Sequence, residues 1–124
     1  MALASTISII DDDTWAREGI RDFVASLGYR TLTFASADEF VNSGRIAETN
    51  CVISDVQMPG LSGLDLQDYL AGCGHGTPII FLTAYPDERS RARALGAGAR
   101  GFLVKPFDDK SLIQCLNAAV GSSN

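Results

Sequence analysis

Short runs of branched apolar residues alternate five times with longer amphipathic stretches. Ser5–Ile10 is the first run and predicts a strand. Thr14–Leu27 follows, with Ala16, Ile20, Phe23, Val24 and Leu27 at helical spacing. Gly28 is placed to end that helix. Tyr29–Phe34 predicts a second strand, and Ser36 with Glu39 forms a capping box for a second helix carrying Phe40 and Val41 inward. Cys51–Ser54 is a third strand. Pro59-Gly60 breaks the chain, and Ser62 caps a third helix that points Leu66, Tyr69 and Leu70 inward. Pro78–Leu82 reads as a fully buried fourth strand. Pro86 at a first helical position, with Asp87 and Glu88 behind it, opens a fourth helix. Gly101–Val104 is a fifth strand, and Asp108 caps a fifth helix whose Leu112, Leu116, Ala119 and Val120 share one face.

The pattern is (βα)5. Strands that are apolar throughout require helices on both faces of a parallel sheet. A closed barrel of this type needs about 250 residues. The expected fold is therefore α/β: a doubly wound, five-stranded parallel sheet in order 2-1-3-4-5, flavodoxin/CheY-like. The 124 residues suffice for one domain, expected over 1–121, with 122–124 as a tail or the start of a linker.

The polar residues change the picture most. Asp11, Asp12 and Asp13 directly follow the first strand, Asp55 the third, Thr83 the fourth and Lys105 the fifth. In this fold the carboxyl ends of strands 1 and 3 flank the switch point where ligands bind. Strand ends are often polar because they meet solvent, but that does not account for several carboxylates, a hydroxyl and a lysine at one edge. Crowded carboxylates repel one another, and a hard divalent cation relieves them. Mg2+ takes a few carboxylate oxygens, keeps waters and shares phosphate oxygens. A carboxylate can also attack phosphorus to give an aspartyl phosphate. Phosphoryl transfer mainly demands positioning and charge neutralisation, which a divalent cation and Lys105 supply. The Thr83 hydroxyl can donate to a phosphoryl oxygen. Lys105 is one of two lysines beside eight arginines, and a compact ammonium suits a point contact.

Ile10-Asp11-Asp12-Asp13, Ser54 to Gly63, Leu82-Thr83-Ala84 and Val104-Lys105-Pro106-Phe107 together resemble the receiver (CheY-like) domains of two-component response regulators. Four motifs in register over essentially the whole chain make that resemblance specific. It implies that Asp55 is the phosphoacceptor, and that Asp11, Asp12, Asp55 and the Gln57 backbone carbonyl hold Mg2+, or Mn2+ in its place. It implies that Thr83 and Lys105 bind the phosphoryl group and that the Lys105-Pro106 bond is cis. Phe102 stands where receivers carry an aromatic switch residue; its plainer reading is a core strand residue. Gln57 and Tyr85 stand where side chains tune dephosphorylation. The implied partners are a histidine kinase or phosphotransfer protein, and an output domain or partner protein reached through the fourth helix, fifth strand and fifth helix. A phosphorylation-dependent homodimer is a further arrangement the family allows. The segments around Thr83–Glu88 and Lys105–Phe107 look most like receivers that precede LuxR-type output domains, so transcription control is the expected output.

Composition narrows the alternatives. There are 15 acidic and 10 basic residues, net charge −5. An acidic chain without a basic recognition helix is not expected to bind nucleic acid or an anionic membrane. No apolar run approaches the roughly 20 residues that span a bilayer, and the N-terminus lacks a secretory pattern. Three widely spaced cysteines, Cys51, Cys73 and Cys115, fit small core or helix residues in the reducing cytoplasm. Cys73 and His75 lack the partners of a metal site, and one histidine leaves little for a hydrolase. Gly96 to Gly101 matches G-x-G-x-x-G, but it leaves a helix and enters a strand, the reverse of a nucleotide site. Arg89, Arg91, Arg93 and Arg100 cluster around the fourth helix, either as a solvated face or a docking surface. Two rival functions are weighed. A degenerate receiver acting only as a protein-interaction module would have lost the acceptor or the acid pair, and both are present. An aspartate-nucleophile phosphatase of the haloacid-dehalogenase type would need Thr or Val where Trp15 stands. The chain is not expected to be a turnover enzyme; as a receiver it would catalyse only its own phosphorylation and dephosphorylation.

Overall fold

Period-two alternation divides the strand residues between the two faces of one sheet. A computed structural model describes residues 4–121; the tail expected at 122–124 lies outside the described residues. The elements run β1 (Thr6–Ile10), α1 (Thr14–Ser26), β2 (Arg30–Phe34), α2 (Ala37–Asn42), β3 (Cys51–Asp55), α3 (Gly63–Gly72), β4 (Ile79–Thr83), α4 (Glu88–Gly96), β5 (Gly101–Val104) and α5 (Asp109–Val120). All strand pairs are parallel, in the order β2-β1-β3-β4-β5. This is the predicted topology.

Ile7, Ile9, Ile53, Ile80 and Leu82 face α1 and α5, where they bury Ile20, Val24, Leu112 and Leu116. Their neighbours Ile10, Val52, Ile79 and Phe81 face the other way, onto Phe40, Leu66, Leu70 and Ala94 of α2, α3 and α4. The central strands β1, β3 and β4 are therefore buried on both sides. The edge strands β2 and β5 are only partly covered.

Side-chain oxygens fix the helix starts. Asp13 accepts from Trp15 N and Ala16 N to start α1, and Asp108 accepts from Ser111 N to start α5. Ser62 and Asp65 form a reciprocal capping box on α3. Ser36 caps α2 through Glu39 N at 3.0 Å, but Glu39 Oε1 reaches back to Ala35 N at 2.8 Å, so the expected box closes one residue early. Gly28 sits just past α1 with φ 99°, which suits a residue without a Cβ.

Some expected details differ. Asp87, not Pro86, starts α4: its carboxylate accepts from Arg89 N, and the first helical residue is Glu88. Pro86 therefore lies before the cap. Tyr69 is exposed instead of inward. The buried stripe of α3 is Gly63, Leu64, Leu66, Gln67 and Leu70, so Gln67 takes the place that Tyr69 was expected to fill. Leu27 caps α1 and is also exposed. The strands carry Asp55 and Thr83 as their own last residues. Gly96 to Gly101 ends α4 and turns into β5, as its context predicts. Among the described residues no helix is long and apolar enough to cross a membrane.

One glycine links fold to site. Gly63 N donates to Val56 O at 2.9 Å, which folds the start of α3 back against the end of β3. A Cβ at Gly63 would collide with the Asp55 carbonyl oxygen and the Phe81 ring. Neither backbone nor core ring can yield cheaply, so Gly63→Ala should destabilise the fold by roughly 1–3 kcal/mol. A urea unfolding midpoint equal to that of the wild type would show that the α3–β3 junction has room to spare.

Candidate functional site

Register brings the polar residues together. Ile10 pairs with Ser54, so the next residues, Asp11 and Asp55, leave adjacent strand ends at the same level. Thr83 pairs with Val104, and Lys105 N donates to Thr83 O at 2.8 Å, which places Lys105 at the same edge. Residues 94 and 50 positions apart in sequence thereby become neighbours.

Lys105 Nζ lies 2.9 Å from Asp11 Oδ2 and 3.4 Å from Asp55 Oδ2. Asp11 is almost fully buried, at 2% exposure. Its second oxygen, Oδ1, accepts from Asp13 N at 2.9 Å. The Asp11 carbonyl accepts from the Arg17 guanidinium at 2.5 Å. Asp55 is less enclosed, and its Oδ1 accepts from Gln57 N at 3.2 Å. Asp12 is exposed. One carboxylate oxygen from each of Asp11, Asp12 and Asp55 lies within 4.8 Å of the others.

The electrostatics follow from this crowding. Burial pushes the Asp55 carboxyl above its usual range, and the charge of Asp11 adds to the rise; Lys105 and the Gln57 N–H offset part of it. Lys105 loses hydration on burial, which alone would lower its pKa. The bond to Asp11 and the charges of Asp11 and Asp55 outweigh that loss, and the ammonium is held protonated beyond its ordinary range. Both shifts are compatible because the ammonium sits closer to Asp11 than to Asp55. Three carboxylates against one ammonium leave two negative charges uncompensated. Clustered carboxylate oxygens of this number and hardness fit a divalent oxygen-seeking cation.

A cleft of about 330 Å³ opens over these groups, lined by Asp11, Asp12, Asp13, Asp55, Gln57, Ala84 and Tyr85. Of the expected site residues, Asp11, Asp12, Asp55 and Lys105 meet directly, while Gln57 and Tyr85 stand on the rim. Thr83 is placed differently: its side chain is buried, and its Oγ1 accepts from Tyr85 N at 3.1 Å. It lies at the end of β4, outside the cleft lining. Phe102 sits one layer further in, half-buried, with its ring 6.3 Å from that of Phe81. Asp13 has a separate task as the α1 cap.

Sequence reasoning missed three supporting contacts. Arg17 holds the Asp11 carbonyl. Asp38 Oδ2 accepts from Leu61 N at 3.3 Å, tying α2 to the loop after β3. Gly63 presses against the Asp55 carbonyl. Only the glycine left a trace in the sequence, next to the Ser62 cap. The carboxylate and guanidinium contacts depend on where loops cross, which periodicity does not encode.

Comparisons with known proteins agree with this arrangement. Residues 7–117 match the response regulator receiver domain family. The chain is 39% identical over 116 residues to the response regulator protein TmoT of Ectopseudomonas mendocina, covering 94% of this chain and 53% of the relative. It is 35% identical over 117 residues to the transcriptional regulatory protein FixJ of Azorhizobium caulinodans, covering 94% of this chain and 56% of FixJ. The chain thus spans about half the length of these curated relatives. Among solved structures, the response regulator StyR superposes with a TM-score of 0.88 at 36% identity, over 97% of this chain and 61% of StyR. The chemotaxis protein CheY4 of Vibrio cholerae superposes with a TM-score of 0.82 at 26% identity, over 94% of this chain and 99% of CheY4. With the family's span covering nearly the whole sheet and every strand end that builds the cleft, this chain belongs to the response regulator receiver domains.

Proposed function

We propose that this chain is the phosphoacceptor module of a two-component relay, with Asp55 as the acceptor. The observation that carries the reading is the constellation of Asp11, Asp12 and Asp55 around a single ammonium, open to solvent through the cleft. The donor is a phosphohistidine on a histidine kinase or phosphotransfer protein. An Asp55 carboxylate oxygen forms a bond to phosphorus as the phosphorus–imidazole bond breaks. The electron pair returns to the imidazole nitrogen, which takes a proton from water. The donor brings the histidine, which accounts for a site built without one.

Each residue has a task. Asp11, Asp12, Asp55 and the Gln57 backbone carbonyl would hold Mg2+, or Mn2+ in its place. That ion, when bound, neutralises charge on the phosphoryl oxygens. Lys105 stays protonated and supplies the remaining positive charge. Its shared position between Asp11 and Asp55 lets it move to a phosphoryl oxygen over a short distance. The Thr83 hydroxyl leaves Tyr85 N and donates to the phosphoryl group. That releases the Ala84–Pro86 segment leading to α4. Phe102, packed on Phe81 without a hydroxyl of its own, responds by repacking. The α4–β5–α5 face changes its affinity for an output domain or partner as a result. TmoT and FixJ carry a comparable length again beyond the region they share with this chain. FixJ is named a transcriptional regulator, so transcription control is the output we infer, exercised through a separate module. The free cysteines suit work in the cytoplasm. The chain turns over no separate substrate and catalyses only its own phosphorylation and dephosphorylation.

Two experiments test this. Incubation with acetyl phosphate and Mg2+ should add one phosphoryl mass to the intact protein, and neither EDTA-treated protein nor Asp55→Asn should gain it. No adduct on the wild type, or an undiminished adduct on Asp55→Asn, would refute the assignment; steady hydrolysis of phosphomonoesters would favour a phosphatase instead. Tyr85 stands on the cleft rim and is 74% exposed, placed to restrict water at the acyl phosphate. Tyr85→Ala should shorten the phosphoryl lifetime severalfold, followed as decay of the adduct after the donor is removed. An unchanged lifetime would mean that Tyr85 does not shield the site.

A further inference from the structure

Helix α2 begins with two adjacent acids that do different work. Glu39 Oε1 reaches back to Ala35 N at 2.8 Å and so serves the helix start. Asp38 reaches out of its own helix. Its Oδ2 accepts from Leu61 N at 3.3 Å, in the loop between β3 and α3. Ala37 and Phe40, both fully buried, hold this part of α2 against the sheet. Asp38 is therefore presented from a fixed base, although its own side chain is exposed.

The loop is shaped to receive that carboxylate. Gly60 has φ 77°, and a Cβ there would lie 2.6 Å from Asp38 Oδ2, so the carboxylate occupies the space a side chain would fill. The two ends of the loop are tied elsewhere. Gln57 N donates to Asp55 Oδ1 at 3.2 Å, Ser62 N to Asp65 Oδ2 at 3.3 Å, and Gly63 N to Val56 O at 2.9 Å. Met58 is buried in the core beneath α2 and α3, and Leu61 packs against the same cluster. Over residues 58–61, however, the bond from Leu61 N to Asp38 is the only backbone hydrogen bond among the described residues.

We propose that Asp38 is a positioning residue for the cation at the acceptor site, acting through the Pro59–Leu61 turn on the Gln57 backbone carbonyl. The assignment rests on the reading of Asp55 as phosphoacceptor with that carbonyl among the ion's ligands. It adds a residue from α2, a helix absent from the cleft lining. A backbone carbonyl is aimed only as well as the loop that carries it. Gln57 lies three residues before Gly60. Its N–H bond to Asp55 means that the same loop also orients the acceptor carboxylate. Groups beyond the ligands tune metal affinity by holding the ligands in place. Two simpler roles for Asp38 predict something different. An acid in the first turn of a helix favours its N-terminus through charge, and a negative charge attracts a cation at a distance. Both need the charge of Asp38, whereas positioning needs only an acceptor oxygen.

The test is a Mg2+ titration of isotope-labelled protein, followed through the amide shifts of Asp12, Asp55 and Gln57, beside thermal unfolding without metal. Asp38→Ala should weaken Mg2+ binding about three- to tenfold, less than the loss of a partner bonded directly to a ligand. Asp38→Asn keeps an acceptor oxygen and loses the charge, and should bind Mg2+ close to the wild type. Wild-type affinity in Asp38→Ala, or an Asp38→Asn protein as weak as Asp38→Ala, would overturn the proposal while Mg2+ still shifts the wild-type amides. A lower metal-free melting temperature in Asp38→Ala with unchanged affinity would assign Asp38 to stability alone and overturn it too. Wild-type amides indifferent to Mg2+ would overturn the underlying phosphoacceptor reading, and the proposal with it.

Discussion

Two unbalanced negative charges at the carboxyl edge of the sheet are the constraint on which the rest of the molecule depends. Asp11, Asp12 and Asp55 share one compensating ammonium, Lys105, and that ammonium lies nearest the most buried of them. Like charges at this spacing repel, and partial burial strengthens the repulsion. The fold holds them there because four strand ends are locked in register by a core packed on both faces. The stored repulsion is what a divalent cation can relieve.

That view gives meaning to the surrounding contacts. Asp11 is buried with both carboxylate oxygens bonded, so it is fixed in place. Asp55 is freer, bonded only to Lys105 and to Gln57 N, and its oxygens face the cleft. Asp12 is exposed. The three carboxylates thus divide into a buried and doubly bonded member, a member open to the cleft and an exposed one. Thr83 completes the edge from below. Its hydroxyl accepts from Tyr85 N, which ties the end of β4 to the loop that leads into α4. Only Ala94 of α4 is buried, which leaves that helix held chiefly through Gln67 and the Arg93 pairs with Asp65 and Asp68.

The topology was legible in the sequence because the central strands are largely apolar on both faces and each helix carries its own cap. The edge residues were legible for the same reason: once the strand order is known, residues after Ile10, Ser54, Leu82 and Val104 must converge. What escaped depended on side chains crossing between elements. Gln67 occupies a core stripe position, but a polar letter reads as surface, so Tyr69 was given the place instead. Pro86 has the backbone geometry of a first helical residue, yet the Asp87 carboxylate takes a free N–H and moves the start. Arg17 acts on a backbone carbonyl in the loop before its own helix and Asp38 on a backbone N–H of a distant loop, and nothing in their local sequence marks either contact. The net charge of −5 is now largely located: without Asp11, Asp12, Asp13 and Asp55, 11 acids face 10 bases.

The stored-repulsion account is tested most directly by thermal unfolding of wild type and Asp12→Ala, each with EDTA and with saturating Mg2+. Removing one exposed carboxylate from the cluster should raise the metal-free melting temperature above that of the wild type. The wild type should gain several degrees with Mg2+, by mass action on the folded state alone, and Asp12→Ala should lose most of that gain. A wild type indifferent to Mg2+, or an Asp12→Ala protein less stable than the wild type without metal, would contradict the claim that the cleft is held under unrelieved charge.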